Sequence, residues 1–261
     1  MLFALVVAVA ACTACAEDGT GEGGGLDDPA KQDIAMRLVS SAENSSLDWR
    51  AQYRYIEDIG DGRGYTAGII GFCSGTGDML AVVERYTKDR PGNALAPYLP
   101  ALRAVVGSDS HQGLGPEFTG AWAQAAASDP VFRAAQDAER DRQYLMPAVR
   151  QGERDGLGAL GQFIYFDAYV MHGADASRGS VGFRALREKA LREAEPPSEG
   201  GDEAAYLNAF LDARVEAIRR EPSHSDTSRV ETAQRVFVRE GNFGLEPPLR
   251  WRVYGDSYRI E

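Results

Sequence analysis

Cysteine is scarce in this chain of 261 residues, which has three, and two of them, Cys12 and Cys15, fall within the first sixteen positions. Cys73 then stands alone, so no internal disulfide can form and stability must come from a buried core. Its apolar setting, Ile69-Ile70-Gly71-Phe72, marks a buried inert thiol rather than a nucleophile. Histidine is as rare: His111, His172 and His224 have no metal-ligand spacing, and no metal site is expected. The glycine-rich pieces lack the strand and helix context of a phosphate loop, and no cofactor is implied. Positive charge is in deficit. Lys+Arg 28 against Asp+Glu 39 gives a net charge of -11, which excludes a nucleic-acid or anionic-membrane partner held by a basic surface. A neutral or cationic ligand fits that balance. No apolar run approaches the roughly 20 residues that span a bilayer, and no internal repeat is present.

What is there, 44% hydrophobic and 26% charged residues, suffices to bury one core or two lobes around a cleft. Leu2 to Ala11 is small or apolar throughout, and Ala14-Cys15-Ala16 resembles a cleavage site, so residues 1–16 are read as an export signal, although they contain no Lys or Arg. An alternative is a lipoprotein signal, Val9-Ala10-Ala11-Cys12, which would leave the chain anchored at the cell surface through Cys12. Residues 17–25 (EDGTGEGGG) form a flexible acidic linker. A single domain over 26–261 follows.

Asp27-Asp28-Pro29 and the spacing of Ile34, Leu38, Val39 and Ala42 predict a helix that ends near Glu43. Trp49 to Ile59, with Tyr53 and Tyr55 alternating with polar residues, predicts extended structure. Gly60-Asp61-Gly62-Arg63-Gly64 is a tight turn, and Tyr65 to Phe72 a returning strand. Thr76 is placed to cap the next helix. Helices then follow to about residue 240, including the apolar run Leu157 to Met171, and Pro247 to Ile260 reads as extended. The fold class is α+β, mostly α, with one small β element near the N-terminus.

Glu43 at a helix end and Asp61 on a glycine-flanked turn form the arrangement by which lysozyme-like folds set two carboxylates across a sugar cleft. A carboxyl at the negative end of a helix dipole, among apolar neighbours, can stay protonated as a general acid. A solvated turn carboxylate stays ionised and can serve as base or nucleophile. Spacing alone leaves the matter open, because many helices end in Glu and many turns contain Asp-Gly.

The stretch from Ser40 to Asp78, SSAENSSLDWRAQYRYIEDIGDGRGYTAGIIGFCSGTGD, closely resembles the chitosanases of glycoside hydrolase family 46. ALGQFIYFDAYVMHG, YLNAFLDAR, HSDTSRVETAQRVF and PPLRWRVYGD resemble that family in the same order, so the likeness covers essentially all of 26–261. It implies a two-lobed lysozyme-like fold and a secreted, inverting endo-chitosanase acting on a cationic polysaccharide, for which the acidic balance has a reason. Glu43 falls on the general acid, Asp61 on the general base, and Thr66 on a position that helps to hold the attacking water. Asp78 falls on a substrate-recognition acid, and Tyr55 and Arg63 on cleft-lining positions, with Glu221 and His172 as further substrate-binding candidates. Blander alternatives stand beside these: a strand threonine, a first-turn acid for Asp78, a core tyrosine, a turn arginine paired with an acid, a helix-end glutamate and a buried histidine. Ser225 departs from the family, whose members often carry an acid just before DTSR.

Asp167 is the only charge between Leu157 and Met171, and a lone carboxylate in such a run costs several kcal/mol unless paired. The resemblance supplies Arg214 and Arg229 as its partners, an ion network behind Glu43. Two rival functions remain: a peptidoglycan muramidase, whose anionic substrate an acidic cleft would meet badly, and a non-catalytic polysaccharide-binding module. No protein partner is implied, and a monomer is the default expectation.

Overall fold

The computed structural model describes residues 24–175, 181–221 and 225–261. The segment read as an export signal, with Cys12, and most of the segment read as a linker lie outside them. Helix α1 spans Pro29–Glu43, and its N-cap Asp28 accepts the Ala30 N–H at 2.7 Å. Proline fits the first position because its missing N–H would have had no intrahelical partner. Ile34, Leu38, Val39 and Ala42 are all buried, as their spacing predicts. Leu26 is fully buried too, its N–H bonded to Gln162 Oε1 at 2.8 Å.

The strand expected over 49–59 is helical for half its length. Trp49–Arg54 is a 3-10 turn, and only Ile56–Asp58, β1, is extended. Tertiary bonds override the alternation there: the Tyr53 carbonyl accepts Trp122 Nε1 at 3.1 Å and Gln136 Nε2 at 2.9 Å, and its phenol donates to Asp137 at 2.7 Å. The returning strand is broken as well, into β2 (Tyr65–Ala67) and β3 (Phe72–Cys73). Gly68 lies between them at φ +76, where an added Cβ would run into the Gln136 amide. The three strands form one antiparallel sheet in chain order, with Thr66 between Glu57 and Cys73. Helix α2 (Asp78–Asp89) is not capped by Thr76. Its N-cap is Gly77, and the Thr76 hydroxyl bonds instead to the Cys73 carbonyl and the Asp78 carboxylate. Helices α3 (Leu99–Val105), α4 (Pro116–Ser128) and α5 (Pro130–Arg140) complete a first lobe. Its core holds Trp122 edge-on to Phe132 at 4.8 Å, with Tyr86 and Phe118.

From α5 the chain continues through a π turn, Asp141–Leu145, into α6 (Met146–Arg154), one rod that passes from the first lobe to the second. The second lobe contains α7 (Ala159–His172), α8 (Phe183–Glu193) and α9 (Glu203–Arg220). Another π turn, Val230–Gln234, leads into α10 (Arg235–Arg239). The core of this lobe sets Tyr165 edge-on to Phe183 and tilted against Phe210, at 4.8 and 4.9 Å. The C-terminal segment is extended, as expected, and pairs with itself: β4 (Leu249–Val253) and β5 (Asp256–Ile260) form a hairpin. Leu249, Trp251 and Val253 point inward, and Trp251 Nε1 donates to Ser41 Oγ at 3.0 Å, which docks the hairpin on α1. Helix α1 thus meets α7 and the hairpin on one side and the 3-10 turn on the other. Its last residue, Glu43, lies where the two lobes face each other.

Candidate active site

Asp61 is held by its own turn. Its Oδ1 accepts the Arg63 N–H at 3.0 Å, and its Oδ2 accepts Arg63 Nε at 2.7 Å. The side chain is only 5% exposed, so the carboxylate is not the solvated group expected of a turn acid. Arg63 is therefore the clamp that orients Asp61. Against the effect of burial, the neighbouring Cys73, Asp61 and Glu43 hold Arg63 charged.

Glu43 differs from expectation in the opposite sense. Its wall is not apolar: Oε1 pairs with Arg229 Nη1 at 2.8 Å, and 29% of the side chain is open. Arg229 is itself shared with Asp167, whose Oδ1 lies 2.7 Å from Nη2. On the other Asp167 oxygen, Arg214 Nη1 stands at 2.9 Å and Gln234 Nε2 donates at 2.6 Å. Gln234 Oε1 accepts from Arg214 at 2.7 Å and closes the ring. The two arginines and Asp167 are buried together, as the lone charge of α7 required. Gln234 escaped the sequence reading because it comes from a π turn, where helical spacing does not say which side chain faces inward.

His172 is 4% exposed and packs behind this network, with neither ring nitrogen hydrogen-bonded among the described residues. That placement makes it a buried histidine and not a cleft contact. Burial, with the nearby charges of Arg214 and Arg229, pushes its pKa down to about 3. Asp167, which burial alone would raise, is pulled down to about 2 by Arg229 and Arg214. The signs combine. Below pH 6.5 the unfolded chain protonates His172 and the native state does not, so stability falls progressively as the pH drops from 6.5 toward 3. Asp167 contributes stability that is present above about pH 4 and lost as the pH falls toward 2. Melting temperatures of the wild type are expected to decline from pH 6.5 to 4, and His172→Leu to flatten that decline. Equal slopes in the two proteins would show that His172 is not the titrating group.

Thr66, on the central strand, is buried, and its hydroxyl lies 3.5 Å from Cys73 Sγ. Cys73 is buried and free, its thiol pushed up to about 11 chiefly by burial. Asp78 is 7% exposed and engaged at both oxygens. Oδ1 accepts the Cys73 N–H at 2.8 Å, the Met79 N–H at 3.0 Å and the Thr76 hydroxyl at 2.6 Å, and Oδ2 accepts the Tyr144 hydroxyl at 2.6 Å. Against those bonds, burial raises its carboxyl above the usual range. Asp78 anchors the corner between β3 and α2. Asp78→Ala would orphan four donors, and a loss of about 2–3 kcal/mol is expected, read as a melting temperature lower by about 4–12 °C.

The remaining candidates have other partners. Tyr55 donates to Glu57 at 3.3 Å and lines a groove of about 550 Å³ with Gln52, Glu57 and Thr119. Glu221 caps the C-terminus of α9, its N–H donating to the Ile218 carbonyl at 3.0 Å. Tyr254, which sequence reading passed over, stands at the tip of the β4–β5 hairpin beside Arg229 and Glu43. Among the described residues no cluster of three or more His, Cys, Asp or Glu is arranged to hold a metal ion.

Two carboxylates with different environments, Asp61 clamped by Arg63 and Glu43 paired with Arg229, suit acid and base work on a glycosidic bond. The model of glycosyl hydrolase family 46 matches residues 37–249. A chitosanase of Streptomyces sp. (strain N174) is 63% identical over 238 residues, 91% of this chain and 84% of that protein. A chitosanase of Bacillus subtilis (strain 168) is 37% identical over 84% of this chain and 80% of its own length. Among solved structures, a co-crystal of chitosanase OU01 with substrate superposes with a TM-score of 0.87 at 59% identity, covering 91% of this chain and 99% of that one.

Proposed function

The chain belongs to glycosyl hydrolase family 46, and on that premise we propose an endo-chitosanase that cuts the β-1,4 bonds between glucosamine units by a single inverting displacement. The observation that carries the substrate class is the 63% identity to a chitosanase across 91% of the chain. In the lysozyme-like fold, Glu43 donates its proton to the leaving glycosidic oxygen as the bond to the anomeric carbon breaks. Water attacks that carbon from the opposite face and loses its proton to Asp61, so configuration inverts. Such a site needs its carboxyls about 6.5–9.5 Å apart, with the water between base and sugar.

Arg63 orients Asp61 with Nε and Nη2 both on Oδ2 and leaves Oδ1 a lone pair for the water, because a carboxylate oxygen can accept twice. Thr66, on the strand next to that turn, helps to hold the water. Arg229 holds Glu43 through Nη1 and Asp167 through Nη2, so the acid is positioned by a guanidinium that is not free to hold a substrate anion. The net charge of -11 favours approach of a cationic polymer. The Leu2 to Ala11 run supports export, with lipid anchoring through Cys12 as the alternative, and a polymeric substrate is met outside the cell. One chain supplies every group named, which supports action as a monomer.

The test is reducing-end release from highly deacetylated chitosan, with peptidoglycan as control. Release from chitosan alone is expected. Release from peptidoglycan alone would return the muramidase reading, and chitosan binding without release the non-catalytic one.

A further inference from the structure

The tip of the β4–β5 hairpin carries a residue its turn does not favour. Tyr254 and Gly255 form the loop, at φ +52 and +89, with Val253 opposite Asp256. Two successive positive φ values in a two-residue hairpin loop belong to the type I′ turn, for which Asn-Gly is the preferred pair. A bulky aromatic residue in the left-handed region is a steric outlier. Strain of this kind persists only where the surroundings impose it, and it concentrates at ligand contacts. Tyr254 is also 48% exposed, one of few large apolar side chains left open among the described residues.

The neighbours indicate what it would contact. The Tyr254 N–H donates to Ser228 Oγ at 2.9 Å, and the Ser228 N–H donates to Asp226 Oδ1 at 2.7 Å. The next residue, Arg229, holds Glu43 at 2.8 Å. The dipeptide Ser228-Arg229 therefore gathers Tyr254, the exposed carboxylate of Asp226 and the acid Glu43 at one place. Desolvation and the negative charges of Glu43 and Asp226 keep the Tyr254 phenol above its usual range, against the pull of Arg229. An aromatic face beside a carboxylate is a pairing that recognises an ammonium group.

We propose that Tyr254 and Asp226 form a subsite beside Glu43 that recognises the ammonium of the glucosamine flanking the bond to be cut. It rests on the chitosanase reading above. Tyr254 is then a specificity residue, kept in place of the asparagine that would suit the turn.

The test compares Tyr254→Asn, Tyr254→Phe and Asp226→Asn with the wild type on a fully deacetylated glucosamine oligomer and on partly acetylated chitosan. Tyr254→Asn is expected to raise the melting temperature by about 2–4 °C, because asparagine tolerates the left-handed turn. It is also expected to lower kcat/KM on the deacetylated oligomer roughly 2- to 30-fold, mainly through KM, the range of one cation–π contact. The ratio of activity on deacetylated over acetylated substrate should fall with it. Asp226→Asn should move that ratio the same way, and Tyr254→Phe, which keeps the ring, should stay near wild type. Unchanged kcat/KM and product ends in both Asn variants of an active enzyme overturn the subsite alone. Loss of activity together with loss of stability in Tyr254→Asn also overturns it, by assigning a structural role. A wild type inactive on chitosan removes the chitosanase reading and this subsite with it.

Discussion

Glu43→Gln and Asp61→Asn are each expected to lower kcat on chitosan by roughly 10²- to 10⁴-fold, the contribution of a positioned proton donor or acceptor. The change at Glu43 is close to isosteric. The glutamine carbonyl can still accept from Arg229, which keeps its bond to Asp167 at 2.7 Å, so the fold should hold while the proton is gone. The change at Asp61 is less quiet structurally. Both of its oxygens serve Arg63, and an asparagine offers one acceptor and one amide that faces the guanidinium. A melting temperature slightly lower than wild type is therefore expected for Asp61→Asn and a wild-type value for Glu43→Gln. The double variant should cost little more than either single one, because the two groups act in one step. Turnover measured beside thermal melts separates chemistry from folding. A Glu43→Gln enzyme within tenfold of wild type would remove Glu43 from the acid role.

Arg229→Ala should damage stability and rate together. It strips one partner from Asp167, which stays buried against Arg214, and the ion pair from Glu43. Breaking one side of a buried ion pair costs about 3–5 kcal/mol, because the remaining charge stays in a poor solvent. For a chain of this size that reads as a melting temperature lower by about 6–20 °C. The rate effect is separable if kcat is measured well below the variant's melting point, where a Glu43 carboxyl no longer held at 2.8 Å should misplace its proton and lower kcat at least about tenfold. Arg229→Lys should recover part of the stability and little of the rate. A single ammonium cannot reproduce the fork that reaches Glu43 through Nη1 and Asp167 through Nη2. Wild-type melting and turnover in Arg229→Ala would mean that the network does not hold the acid.

By itself the sequence determined the helices and much of the chemistry. Asp28-Pro29 set the start of α1, its apolar stripe set the buried face, and the lone Asp167 in an apolar run announced a buried ion network before any partner was visible. These features were legible because their cause is local: a cap, a period, a charge with nowhere to go. The tertiary structure alone decided the rest. Tyr53 sits in a 3-10 turn because Trp122 and Gln136 donate to its carbonyl from helices far along the chain. Asp61 is covered and Glu43 is charge-paired, the reverse of what a turn and a helix end suggest, because Arg63 folds back on one and Arg229 reaches the other from a distant segment. Gln234 and Tyr144 reach the site from π turns, whose extra residue shifts side chains off the helical period. Tyr254 keeps its left-handed backbone through a hairpin register and a bond to Ser228, neither of which a tyrosine in sequence can signal. Composition and periodicity carry information about burial, whereas the direction in which a polar side chain points is set by partners that only the folded chain brings within bonding distance.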